Sequence, residues 1–241
     1  MKHVTIRSAA VFAIVAAMGV SIPAVAYASS TTSTTTPSPS FIAAQQKLEG
    51  ELANRVSRLT HLDNDVTAAT SLSSNVSLTL QARLSTEEAS INALVAKVPT
   101  DTTWAQLDAD RAAMYKDNRV YAVMSPQVFE EIEASLVAGQ VTTMQGNQTT
   151  LQTEVASLVG LPGYQNALNH YNNYVLRLSN WSTRIVTVEA TVLAQTPSDF
   201  PGDTNVFVTA NHQILDANIA LAYAAYDASI IGLASGGYTG P

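Results

Sequence analysis

Hydrophobic residues recur every three or four positions almost without interruption from Phe41 onward. An α-helix has about 3.6 residues per turn, so this spacing puts apolar side chains on one face of successive helices. The clearest stripe consists of Leu48, Leu52, Val56, Leu59, Leu62 and Val66. No alternating run between hairpin turn residues predicts a pair of strands, although the β-branched run from Val206 to Thr209 also fits a short strand. The chain is therefore predicted to be all-α.

Turn-forming residues divide this pattern into long segments. The breaks lie at Ser71–Asn75, Pro99, Pro126, Gly160–Gly163 and Thr196–Asp203. Five or six helices result, several of roughly 30 residues, and short loops between them make neighbours antiparallel. Leu52, Leu59 and Val66 are seven residues apart, a spacing typical of left-handed coiled-coil packing. We expect an elongated antiparallel helical bundle over residues 41–234.

The first 28 residues have the composition of an export signal. Lys2 and Arg7 give a positive start, residues 8–25 carry no charge, and Ala26–Ala28 is a small-x-small cleavage pattern. We therefore predict a signal peptide over residues 1–28 and a secreted, extracellular or cell-wall-associated protein. An uncleaved membrane anchor is the alternative, because the apolar stretch approaches the ~20 residues that span a bilayer.

The remaining segments outside the predicted bundle are short and polar. Residues 29–40 are Ser, Thr and Pro only, as expected for a disordered tether. Residues 235–241 are rich in glycine and are predicted to form a flexible tail. The next most apolar run, Ile214 to Ala234, is interrupted by Asp216, Asn218 and Asp227. Beyond the signal, no membrane association is expected.

The charge and cysteine content exclude several classes of function. The formal net charge is −7 and only 13% of residues are charged, which gives no electrostatic basis for binding nucleic acid or anionic lipid. The absence of cysteine excludes disulfides, thiolate metal sites and a cysteine nucleophile. The expected partners are another protein or a cell-wall glycan. Low surface charge and heptad-like stripes also predict self-association.

No local motif for catalysis or cofactor binding occurs in the sequence. The G-x-S-x-G, S-x-x-K, P-loop and G-x-G-x-x-G patterns are all absent. His212 and Asp216 share a helix face, but the Glu-x-x-His pairs of bundle metal sites are missing. Asp63 and Asp65 fit a solvated helix face better than a calcium loop. We predict no catalytic residues, no metal and no cofactor.

Two groups of side chains are nevertheless compatible with catalysis or ligand binding. The first group, which follows Pro126, consists of Glu130, Glu131 and Glu133. The positive end of a helix dipole favours acids at this position. A hydrolase with dispersed carboxylates is an alternative, and it is the least supported one. Trp181, Tyr171 and Tyr174 lie at helical spacing. They fit core packing with hydroxyls at the rim, or alternatively a groove that binds a glycan or small ligand.

The segment from Asp117 to Gln127 reads D-N-R-V-Y-A-V-M-S-P-Q. A proline in a helix removes one backbone hydrogen bond, and Arg119 and Tyr121 are able to satisfy the freed carbonyls. We therefore predict a structural hinge formed by Arg119, Tyr121 and Pro126.

The same segment resembles the D-x-R-V-Y-x-x-x-x-P-Q stretch of a largely uncharacterised family of exported actinobacterial all-helical proteins. Residues Thr100–Leu107 and Ala210–Leu215 resemble two other helices of that family. The histidine that follows the P-Q pair in the family is replaced here by Phe129 and Glu130. The resemblance implies a secreted helical architecture and no particular reaction. The resulting expectation is an exported, non-enzymatic spacer, adhesion element or partner-binding bundle.

Overall fold

The computed structural model describes residues 37–201 and 204–236. Within them the chain forms seven α-helices: α1 (Pro39–Ala68), α2 (Ser74–Lys97), α3 (Trp104–Lys116), α4 (Ser125–Gly146), α5 (Gln148–Ser157), α6 (Tyr164–Leu193) and α7 (Thr204–Ser235). Short 3₁₀ turns lie at Val98–Thr100 and Pro197–Asp199, and a π-helical turn lies at Val120–Met124. These residues contain no strand, and Val206 to Thr209 is helical. The predicted all-α bundle is confirmed.

The predicted segments at the two ends fall mostly outside the described residues. The signal peptide (1–28), residues 29–36 of the tether and residues 237–241 of the tail are not among them. The bundle starts slightly earlier than predicted, because Ser38 accepts a 3.2 Å hydrogen bond from the Phe41 amide and caps α1. Pro39 and Ser40, which we assigned to the tether, are therefore part of α1. At the other end α7 extends to Ser235, one residue beyond the predicted boundary.

Side-chain hydrogen bonds show that neighbouring long helices are antiparallel. Gln45, early in α1, donates a 2.7 Å bond to the carbonyl of Val98, just beyond the end of α2. Gln81, early in α2, donates to the hydroxyl of Thr67 near the end of α1. In the same sense, His170 near the start of α6 contacts Asp227 near the end of α7. The short connections predicted this arrangement correctly.

Two clusters of buried apolar side chains form the core. The N-terminal cluster joins α1, α2, α3 and the start of α4, and includes Leu52, Leu62, Leu80, Ile91, Leu107 and Met114. The C-terminal cluster joins α4, α5, α6 and α7, and includes Val137, Tyr174, Leu178, Ile185, Val192 and Leu221. The clusters meet at the π-helical turn, where Val120 and Met124 belong to the first and Val123 to the second.

The interruption of the third predicted helix lies upstream of Pro126. Helix α3 ends at Lys116, and the chain passes through Asp117–Arg119 before the π-helical turn. Pro126 lies in the first turn of α4, a position at which a proline fits readily. A second interruption separates α4 from α5 at Asn147.

Candidate functional site

Polar side chains are concentrated where the two core clusters meet. Gln127 on α4 is fully buried, and its side-chain amide donates hydrogen bonds of 2.9 Å to Val192 and 2.8 Å to Gln195. Arg83 on α2 donates bonds of 2.5 Å to Leu193 and 3.1 Å to Gln195. All of these acceptors are backbone carbonyls at the C-terminal end of α6. Carbonyls at the end of a helix lack the full set of partners within the helix and attract cations. Arg83 and Gln127 therefore fasten the end of α6 to α2 and α4.

Glu131 lies one turn further along α4 and is also fully buried. Burial raises the pKa of its carboxyl group to about 8, and the nearby carboxylate of Glu189 acts in the same direction. The backbone amide of Leu193 and the guanidinium of Arg83 partly offset these effects. Glu131 is therefore largely protonated at neutral pH, because the cost of burying its charge exceeds the stabilisation by these two neighbours.

This position corrects our interpretation of the acidic residues after Pro126. Helix α4 starts at Ser125, so Glu131 is beyond the first turn in which the helix dipole favours acids. Glu130 lies on the surface side and accepts a 3.3 Å hydrogen bond from Asn211. Its pKa is raised by partial burial and by Glu133. The two neighbouring acids thus have different environments.

A cleft of about 540 Å³ adjoins this polar region. It runs between α2 and the loop after α6, and its walls include Arg83, Glu87, Met124, Thr196 and Pro197. Burial raises the pKa of Glu87 to about 7. A carboxyl group with that pKa exchanges a proton near neutral pH and either donates or accepts a hydrogen bond. The sequence alone did not point to this cleft.

A second polar cluster fastens α6 to α7. Asp227 is buried and contacts Nδ1 of His170 at 2.7 Å and Nε of Arg177 at 3.2 Å. The ring of His170 packs edge-on against Tyr226, with 6.0 Å between the ring centroids. Asp227 therefore occupies a position on the otherwise apolar inner face of α7, where its side chain links the two helices.

Helix α7 also carries apolar side chains on its outer face. We call Val208, Leu215, Ile219, Ala222, Tyr226 and Leu233 the α7 stripe. Apart from Ala222, which is also exposed, these side chains are between 49% and 60% exposed. Val208, Leu215 and Ala222 form one series with seven-residue spacing. Ile219, Tyr226 and Leu233 form a second series beside it on the helix surface. The inner face has its own heptad series, Phe207, Ile214 and Leu221, in the C-terminal cluster.

A groove lies beside the middle of the α7 stripe. Its volume is about 600 Å³, and Leu136 and Gly139 of α4 face Leu221, Ala222 and Ala225 of α7 across it. Nothing lies within 4 Å of the position that a Cβ atom would occupy at Gly139. Small residues on both sides leave this space open beside the larger stripe residues.

By length and composition, α7 (Asn205–Ser235) is the one helix among the described residues that is apolar enough to cross a membrane. Its inner face is buried in the C-terminal cluster, where Ile214, Ala217 and Leu221 pack against other helices. The sequence showed the apolar character of this segment, but we did not predict a separate outward-facing stripe. The seven-residue spacing of Val208, Leu215 and Ala222 was the available signal.

The aromatic residues predicted as a ligand site lie mainly in the core. Trp181 is 6% and Tyr174 is 1% exposed, and both belong to the C-terminal cluster. The hydroxyl of Tyr174 donates a 2.5 Å hydrogen bond to the carbonyl of Met144, and Arg184 lies 4.3 Å from the ring centroid of Trp181. Tyr171 is half-buried against the same cluster. This arrangement supports the core-packing interpretation, and ligand binding by these residues stays a prediction.

The three residues predicted as a hinge surround the π-helical turn. Arg119 donates a 3.1 Å hydrogen bond to the freed carbonyl of Lys116, and its guanidinium lies 4.3 Å from the ring centroid of Phe200. Tyr121 is exposed, and its ring centroid lies 5.0 Å from the guanidinium of Arg55. Pro126 follows in the first turn of α4. They therefore lie next to the junction of the clusters, and their role as a hinge stays a prediction.

The remaining candidate residues are on the surface. Asp63 and Asp65 are exposed on α1, and His212 and Asp216 are exposed on α7. Within residues 37–201 and 204–236, no three His, Asp or Glu side chains are grouped closely enough to hold a metal ion.

Comparisons with protein-family models, curated proteins and solved structures give no match for this chain. The resemblance to exported actinobacterial proteins therefore stays a prediction.

Proposed function

We propose that this chain is an exported, non-enzymatic helical protein of the cell envelope that acts by binding a partner through the α7 stripe. The supporting observation is that α7 carries a second apolar series on the side facing away from its own core. A helix of a globular protein needs one apolar face for folding. A contiguous exposed apolar face in addition to it is typical of an interaction surface.

The two alternative functions have less support. Binding of a glycan or small ligand around Trp181 requires an accessible aromatic face, but Trp181 and Tyr174 are covered by their neighbours. A hydrolase of this kind requires two carboxyl groups in contact with substrate. Glu131 is fully buried, and Glu87 is the only carboxyl group among the described residues that line the cleft beside Arg83. Both alternatives therefore have less support than the proposed partner-binding role.

The proposal can be tested by fractionating the native host and measuring the intact mass of the protein wherever it accumulates. We expect a chain that begins at Ser29 and is retained at the envelope. The double substitution L215Q/I219Q makes the stripe polar while leaving the core unchanged, so it should release the protein into the medium. The matched control L176Q/V186Q alters two equally exposed residues on α6 and should not.

Equal retention of both variants would show that the stripe does not hold the protein at the envelope. An uncleaved chain in the membrane fraction would identify residues 1–28 as an anchor and would contradict export as a processed protein.

A further inference from the structure

We infer that the partner of the α7 stripe is a second copy of this chain, bound with its α7 antiparallel to the first. This inference rests on the proposed function, because it names the occupant of the same surface. Two paired copies attach to the envelope at two points, so a variant that cannot pair is held less tightly and is released. Three properties of the surface carry the inference: its shape, the distribution of charge around it, and the area that it offers.

The shape of the surface is self-complementary. A two-fold axis between residues 220 and 221 places Ile219 of each copy opposite Ala222 of the other. Ala222 lies in the wall of the groove between α4 and α7, where Gly139 and Ala225 also leave space. The large side chain of Ile219 therefore faces the groove of the second copy. A two-fold interface requires a projection and a matching recess on one and the same surface.

The same axis pairs the rest of the stripe. Leu215 comes opposite Tyr226, and Val208 comes opposite Leu233, because each pair is equally far from the axis. Every apolar residue of the α7 stripe therefore meets another apolar residue. The pairing follows from the seven-residue spacing of the stripe and requires no change in the helix.

The charges near the stripe favour the antiparallel arrangement. Asp216 is exposed beside the stripe. In the antiparallel pair it lies opposite Ala225 of the other copy. In a parallel pair in register, the two copies of Asp216 lie side by side. Glu130 lies at the Val208 end, and no charged residue follows Asp227 at the other end. Like charges that face each other across an interface are unfavourable, so the antiparallel pair avoids repulsion at both positions.

The charge pattern also argues against an anionic lipid surface as the occupant. Helices that lie on such membranes carry Lys and Arg along their polar face. Helix α7 has neither, since Arg184 is the last basic residue of the chain.

The available area is sufficient for a weak dimer. From the exposed fractions of its side chains, covering the stripe removes about 500 Å² per copy from water, or roughly 1,000 Å² in total, which is at the lower limit for stable interfaces. We therefore expect a reversible equilibrium between monomer and dimer.

The orientation can be tested by cysteine cross-linking, because the natural chain contains no cysteine. Variants V208C and L233C, in the form in which the host accumulates the protein, are oxidised separately and as a mixture. An antiparallel dimer gives a disulfide-linked product only in the mixture. Cross-linking of each variant with itself, but not in mixed pairs, would identify a parallel dimer and overturn the antiparallel arrangement.

The strength of association is measured by sedimentation equilibrium. The natural chain should form dimers at about 100 µM, and I219E should weaken dimerisation at least about tenfold. The control L176E, on the exposed side of α6, should leave the equilibrium unchanged, and circular dichroism checks that both variants are folded. A natural chain that stays monomeric at this concentration would overturn the inference.

Two further results separate this inference from the proposed function. If the natural chain is monomeric but the L215Q/I219Q variant is still released from the envelope, the proposed function stands and the stripe binds another partner. Binding of the natural chain to neutral phosphatidylcholine vesicles, lost in I219E, would identify lipid as the occupant and overturn the second copy.

Discussion

The side-chain amide of Gln127 on α4 donates a 2.9 Å hydrogen bond to the backbone carbonyl of Val192 near the end of α6. The same amide reaches the carbonyl of Gln195 at 2.8 Å. One buried side chain thereby holds the last turn of α6 at the boundary between the N-terminal and C-terminal clusters. The bond connects residues that are 65 positions apart in the chain, so it forms only when α4 packs against the end of α6.

Replacing this amide should destabilise the protein. Q127L preserves the approximate size of the side chain but removes two buried hydrogen bonds, to the carbonyls of Val192 and Gln195, which costs about 1–3 kcal/mol of the free energy of unfolding. Urea denaturation followed by circular dichroism measures this loss. In the control Q81L, an exposed side chain that bonds Thr67 is changed, and the effect should stay within about 0.5 kcal/mol. Equal effects of the two substitutions would show that Gln127 does not hold the junction.

The helical architecture was predictable because its signals are local. Apolar spacing and the turn residues near Pro99 and Gly163 placed most helix boundaries within a few residues. The interruption before α4 was placed incorrectly, since a proline does not reveal whether it lies inside a helix or in its first turn. Asp117–Arg119, where the chain actually leaves the helix, contains neither proline nor glycine.

The polar junction was not predictable, because its partners come from distant parts of the chain. Gln127 and Glu131 are four residues apart and so share one helix face. Nothing in the local sequence indicated that this face points inward or that Arg83 and Glu189 lie beside it. The α7 stripe was not predicted for a different reason: apolar residues recur on both faces of this alanine-rich helix, so their spacing alone does not distinguish the buried series from the exposed one.

Glu131 should make the stability of the protein depend on pH. The unfolded chain releases this proton near the ordinary pKa of 4.5, and the folded chain releases it near a pKa of about 8. Between these values the folded state binds more protons, so the free energy of unfolding falls as the pH rises. We expect Glu131 to contribute a loss of roughly 3 kcal/mol between about pH 5 and about pH 8, in addition to the loss from other acids whose pKa is raised.

The substitution E131Q removes this titration and should flatten the pH dependence. A smaller slope of the same sign remains, because the pKa of Glu87 is raised to about 7. D63N changes an exposed acid on α1 and should retain the full slope. Urea denaturation at a series of pH values gives the comparison. A natural chain that becomes more stable from pH 5 to pH 8 would contradict a buried, protonated Glu131.

Asp227 should contribute more to stability than a surface acid on the same helix. D227A removes the acceptor of both His170 and Arg177 and leaves a small cavity on the inner face of α7. We expect a loss of about 2 kcal/mol in the free energy of unfolding. D216A, which alters an exposed position of α7, should change stability by less than about 0.5 kcal/mol. Similar values for the two variants would show that the contacts of Asp227 add little to the packing of α6 against α7.

Gly163 should be difficult to replace, because it begins α6 in a left-handed conformation with φ of +96°. Most residues with a Cβ atom are strained there, so G163A should lower the free energy of unfolding by about 1 kcal/mol. Gly50 offers the opposite case: it lies within α1, and no atom is within 4 Å of its missing Cβ position. Alanine has the higher helix propensity, so G50A should raise the free energy of unfolding by about 0.5–1 kcal/mol. Thermal unfolding of the two variants gives shifts of opposite sign if Gly163 determines the turn between α5 and α6. A stabilising G163A would show that this turn adopts a different backbone conformation.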